Sequence, residues 1–163
     1  MAIIQLPKAV GEIQEATLMS EDYYTFRIVD EPEILPNANL RAQEAGEPYN
    51  AEKAGHNLVL NVRVEHEDPM VNGRMFTKYL PMPKDGDENR IVPTTGQTML
   101  DWKLEKLKQH SEAFAGRVIA DDEDSLSFEV GSRAALYIST GSNFKTGEPE
   151  SQLDFNKEPR PVL

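Results

Sequence analysis

The tightest constraint in this chain is a strict two-residue alternation, in which Leu58, Leu60, Val62 and Val64 are separated by Val59, Asn61, Arg63 and Glu65. Successive side chains of a strand point to opposite faces, so this segment reads as a strand with one apolar face. Asn72-Gly73, the dipeptide best suited to a type I′ turn, follows, and the chain resumes through Arg74, Phe76, Lys78, Tyr79 and Leu80. Residues 57–83 therefore form one β-hairpin with two unlike faces. Strict pairing across a two-residue turn would set Pro69 opposite Phe76 and Glu65 opposite Leu80, which mixes polar with apolar positions. A bulge or wider loop at residues 67–71 is expected instead.

Arg74, Phe76 and Lys78 share one face of the returning strand. A β-surface carrying Arg, Lys and an aromatic ring can hold phosphates and stack bases, the two contacts that single-stranded nucleic acid offers. The competing account of that face is the solvated outside of a sandwich. Net charge opposes the nucleic-acid account, since −11 overall should repel a polyanion at long range. The charge is unevenly placed, however. Residues 56–110 hold 8 basic and 8 acidic groups, whereas residues 1–55 hold 4 and 10, and residues 111–163 hold 5 and 10. A local basic groove in the balanced middle third can still bind a strand.

A chain of 163 residues suffices for one domain with a proper core. No apolar run approaches the roughly 20 residues that span a bilayer, and the first residues lack the basic start and long apolar middle of a secretion signal. The chain has no cysteine, which excludes disulfides, thiol catalysis and Cys-zinc sites. A soluble cytoplasmic protein, in the host cytoplasm if viral, is the expectation, with no membrane partner.

Elsewhere, residues 11–20 are a weak strand candidate. Residues 23–34 are a stronger one, with Tyr24, Phe26 and Ile28 alternating against Tyr23, Thr25 and Arg27 until Pro32 interrupts. Residues 35–55 are a long polar stretch that could conceal a short helix at 38–45. Residues 94–114 are the one clear helix, capped by Thr94 or Thr95, with Met99, Leu100, Leu104 and Leu107 at helical spacing, Lys103, Lys106 and Lys108 on its outer faces, and Gly116 as its stop. Strand character returns at 126–130 and 135–139, a turn follows at 141–150, and residues 151–156 close the sheet. Two prolines make residues 157–163 an extended tail. The domain is thus 1–156, followed by a tail at 157–163. Strands, one helix, then strands suit a small Greek-key barrel with a helix plugging one end.

No catalytic motif emerges. Residues 85–89 have the alternate oxygens of a calcium loop but lack its glycine and distal glutamate, and read as a solvated turn. Residues 121–124 read as an acidic loop. His56, His66 and His110 show no metal spacing. Residues 141–147 lack the Gly-Lys-Ser/Thr order of a phosphate loop, and no nucleophile elbow or carboxylate pair is present. No cofactor, no metal and no enzyme activity are expected.

Tyr24-x-Phe26-x-Ile28-Val29-Asp30, Leu58-x-Leu60-x-Val62-x-Val64, Asn72-Gly73-Arg74-x-Phe76-x-x-Tyr79 and, after the Trp102–Leu107 helix, Gly131-x-x-Ala134-x-Leu136-x-Ile138 together resemble the bacteriophage OB-fold single-stranded DNA-binding proteins. The resemblance covers residues 10–156. It implies a mainly β, OB-like Greek-key barrel of about five or more strands with one substantial helix. It further implies largely sequence-independent binding of single-stranded DNA in replication or recombination, with proteins of those processes as candidate partners. A homo-oligomer is compatible with it. In that reading Arg63, Arg74 and Lys78 track phosphates, and Phe76 with Tyr79 or Tyr24 offers stacking platforms. Phe76 and Tyr79 cannot both project from one face of a regular strand, so at least one of them can belong to the core. The chain departs from the family pattern by ending Arg160-Pro161-Val162-Leu163 instead of in an acidic tail. The rival readings are a phage structural or adaptor protein that binds another protein, and an acidic inhibitor that mimics DNA.

Overall fold

A computed structural model describes residues 1–13 and 17–162. The strand expected at residues 11–20 falls partly on residues 14–16, outside the described residues, and a 3-10 turn occupies Val10–Glu12. The ordered elements are β1 (Asp22–Ile28), β2 (Glu33–Pro36), α1 (Ala38–Glu44), β3 (His56–Glu65), β4 (Met75–Pro81), α2 (Met99–Ala115), β5 (Arg133–Ser142), β6 (Pro149–Leu153) and β7 (Arg160–Pro161).

The strands form one curled antiparallel sheet. The long strand β3 takes β2 along its first half and β1 along its second, while β4 pairs along its other edge. Strand β5 pairs with β1, and it receives both β6 and β7. The result is a half-barrel, with α2 packed against β4, β5 and β7 across its open side. Residues 160–161, expected within an extended tail, add a short strand beside Ala134 and Ala135.

The apolar alternation lines the inside. Leu60, Val62, Phe26, Ile28, Ala134 and Ile138 are fully enclosed, and Leu107, Ala113 and Phe114 of α2 pack onto them. The β3–β4 register pairs Leu58 with Leu80, Leu60 with Lys78, Val62 with Phe76 and Arg63 with Met75. The Asn-Gly dipeptide is thus not a two-residue tip. Residues 66–73 form a wider loop, held where Asp68 Oδ1 accepts from the Met70 N–H and Asn72 Oδ1 from the His66 N–H. That loop also sends Val71 into the core.

Two local expectations change. Residues 126–130 form no strand; Phe128 leans on the core and the Ser127 carbonyl accepts from Ser111 Oγ at 3.0 Å. The helix begins at Met99 rather than near Thr94, because Thr98 Oγ1 accepts the Asp101 N–H at 3.1 Å and caps it. It stops at Gly116, whose φ of +67° is the left-handed conformation that glycine adopts without strain.

Helix α2 is also rotated from the expected stripe. Its inward residues are Lys103, Leu107, His110, Ser111 and Phe114, while Leu104 is 43% exposed. Each of the three polar side chains among them meets a hydrogen-bond partner. Lys103 Nζ donates to Asp87 Oδ2 at 2.8 Å, and Asp87 is itself fully buried. Burial alone would raise the Asp87 pKa, but the bonds from Lys103 Nζ and the Lys84 N–H, with the charges of both lysines, hold it below the ordinary range. The 85–89 segment is therefore a turn anchored by a buried ion pair, not a wholly solvated one.

Candidate nucleic-acid interface

Alternation along each strand gives the sheet an inner and an outer face. On β1, Phe26 and Ile28 point inward and Arg27 outward; on β5, Ala134 and Leu136 point inward and Arg133 outward. The registers place Arg133 opposite Arg27 and Arg27 opposite Arg63. Three arginines from three adjacent strands thus stand in one row across the outer face. Like charges directly opposite one another repel, and one carboxylate sits among them. Glu65 accepts from Arg27 Nε at 2.6 Å and lies 3.4 Å from Arg133 Nε. The bond from Arg27 holds its carboxyl below the usual carboxylate range; slight burial opposes this, and the charges of Arg133, Arg27 and Arg63 reinforce it. Arg27 also donates to the Gly131 carbonyl. Arg63 makes no side-chain hydrogen bond or ion pair among the described residues, so its guanidinium fork is available.

Beyond the row, Tyr23 and Tyr137 are cross-strand partners in edge contact, with centroids 5.1 Å apart. The C-terminal segment runs over them. Arg160 lies 4.0 Å above the Tyr23 ring, Lys157 lies 5.3 Å from the Tyr137 ring, and Tyr23 Oη donates to the Glu158 carbonyl. Two more cations are thereby brought to the outer face.

At the other end of β3 the outer face opens into a groove of about 810 Å³ beneath α1. Val59 and Asn61 of β3 face Tyr79 and Thr77 of β4 across its floor. Asn61 is engaged, donating to Asp30 and accepting from Thr77 Oγ1. Asn57 has no side-chain partner among the described residues, and neither does the Tyr79 hydroxyl. The outward residues Asn57, Val59, Asn61, Arg63 and Glu65 thus join the groove to the arginine row without a break.

The expected site residues divide between the two faces. Arg63 and Tyr79 are outward, with Tyr79 55% exposed. Phe76 and Lys78 point inward, opposite Val62 and Leu60. Phe76 packs edge-on against Phe26 at 5.7 Å, so its ring supports the core and does not stand open as a platform. Lys78 is 8% exposed and lies 6.0 Å from the Phe155 ring. Burial pushes its pKa down, Asp154 partly offsets this, and Lys106 adds to the lowering. Arg74 spans to the N-terminal segment and donates to the Thr17 carbonyl at 2.9 Å. Tyr24 leans on the core and donates to the Ser20 carbonyl. The expected face does keep Phe76 and Lys78 together, but it is the buried one, because the β4 register follows the apolar face of β3.

Arg27 and Arg133 were missed as site residues. The signal was partly available: Arg27 lies between the inward Phe26 and Ile28, and Arg133 opens β5 one position before the inward Ala134. Knowing that β1 lies between β3 and β5 requires the topology, and that brings the three arginines together.

No protein-family model matches the chain, and comparison with curated proteins and with solved structures returns no match.

Proposed function

We propose that this protein binds single-stranded DNA, with little regard for sequence along most of its track, through the outer face of the curled sheet. The observation that carries the reading is the Arg133–Arg27–Arg63 row, three guanidinium groups around a single carboxylate in a chain of net charge −11. A guanidinium fork matches phosphate oxygens bidentately. Tyr79 on the same face supplies an exposed ring, and β3, at ten residues, offers a path of about 30 Å. That length suits the lower end of the roughly 4–16 nucleotides occupied per OB fold, the fold of the family that the sequence resembles. Arg63 and Tyr79 retain their expected roles. Arg27 and Arg133 join Arg63 as phosphate contacts, and Phe76 and Lys78 become the support beneath. Replication or recombination is the process implied by the family resemblance.

A protein-binding reading also has an observation in its favour. Ile34 and Leu35 are exposed on β2, a strand that pairs only with β3 among the described residues. Fluorescence anisotropy with labelled dT oligomers and with duplex separates the two. Tight, salt-sensitive dT binding supports the strand reading; no binding of either nucleic acid at low salt removes it.

A further inference from the structure

The groove beneath α1 differs in chemistry from the arginine row. Its floor offers a half-exposed ring, Tyr79, beside the apolar surface of Val59, its cross-strand partner. On the same outward face of β3, one pleat from Val59, the Asn57 amide presents a donor and an acceptor that no group among the described residues uses. Lys53 also lines the groove and makes no side-chain bond or ion pair among the described residues. A planar ring, an unsatisfied amide and a cation in one concave site match a nucleoside phosphate part for part.

We infer that this groove is a base-reading subsite. It takes one unstacked nucleotide of the bound strand, with the base on Tyr79, its edge on Asn57 and its phosphate towards Lys53. An asparagine amide pairs bidentately with adenine through N6 and N7, so adenine is the favoured base at this position. A volume of about 810 Å³ admits a nucleotide with room for the flanking backbone. An amide beside a tyrosine also suits a sugar ring. The unbroken outward face of β3, leading from Asn57 to the three arginines, favours a phosphodiester strand instead. This inference rests on the strand-binding reading and refines it: most of the track ignores sequence, and one position does not.

The test is a positional scan with short dT oligomers, each carrying a single dA or a single abasic site at successive positions. One register should show dA binding about tenfold tighter than dT, with the abasic site weaker than dT at the same register. Asn57→Leu should abolish the dA preference while leaving dT affinity within about twofold, with melting temperature as the check that it folds. Tyr79→Leu, at an exposed position, should lose the abasic penalty if Asn57→Leu does not fold. A flat scan with wild-type dT affinity intact overturns the subsite alone. Failure of every oligomer to bind overturns the strand-binding reading and the subsite with it.

Discussion

Arg27 on β1 stands directly opposite Arg63 on β3, and Glu65 draws the first of these guanidinium groups aside with a 2.6 Å bond. The juxtaposition is unfavourable for the folded sheet alone, since like charges directly opposite on one face destabilise a strand pair. A surface that meets phosphates turns the same repulsion into attraction. Glu65 is about one-third exposed, so its bonds are worth little in stability, about 0–1 kcal/mol. Glu65→Gln should therefore melt close to wild type. It should bind single-stranded dT a few-fold more tightly at low salt, because one opposing charge is gone. Weaker binding would place the strand elsewhere.

Phe76 and Tyr79 should part company on mutation. Phe76→Ala removes a ring packed on Phe26 and should cost about 3–5 kcal/mol of stability. Tyr79→Ala removes an exposed ring and should leave melting nearly unchanged while costing about 1–3 kcal/mol of strand affinity. Denaturant titration and anisotropy on both variants check the pair; the reverse pattern would contradict the assignment of faces.

The docked face of α2 gives a second contrast. Leu107→Ala, buried against the sheet, should destabilise by about 2–5 kcal/mol. Leu104→Ala, at an exposed site, should stay within about 0.5 kcal/mol of wild type. Equal losses in chemical denaturation would show the helix to be rotated from the orientation described.

His110 makes stability depend on pH. Its Nδ1–H donates to the Lys106 carbonyl at 2.8 Å, while Nε2 is enclosed with no partner among the described residues. Burial lowers its pKa to about 4; the Lys106 carbonyl opposes this, and the charges of Lys78 and Lys106 add to the lowering. The folded pKa lies below the unfolded value near 6.5, so between the two the unfolded chain binds a proton that the folded chain refuses. Its contribution is full above about pH 6.5 and is lost as pH falls towards 4, amounting to about 3 kcal/mol. His110→Gln should flatten this part of the stability profile, measured by denaturant midpoints from pH 7 to 4. An unchanged slope would contradict the role.

The sheet was largely legible in the sequence because its apolar residues alternate cleanly. Leu58 to Val64 and Ala134 to Ile138 announce both face and period. The helix was legible in existence and stop but not in its start, which Thr98 sets, nor in rotation, because Lys103 and His110 occupy its inward face. Only tertiary partners, Asp87 and an enclosed pocket against the sheet, make that tolerable. The same limitation misled the reading of Lys78, a lysine set opposite Leu60. Residues 126–130 alternate like a strand, yet no neighbouring strand edge pairs with them. The arginine row was the least legible feature, since its members lie on three strands whose adjacency no local pattern encodes.

The most direct test of the outer-face account is the salt dependence of dT binding by wild type and by a variant carrying both Arg63→Ala and Arg133→Ala. Each lost phosphate contact should reduce the slope of log K against log salt by about 0.7. The double variant should therefore bind more weakly at low salt, with a slope shallower by about 1.4 and an unchanged fold by circular dichroism. A folded double variant with wild-type affinity and slope would show that the strand does not cross this face.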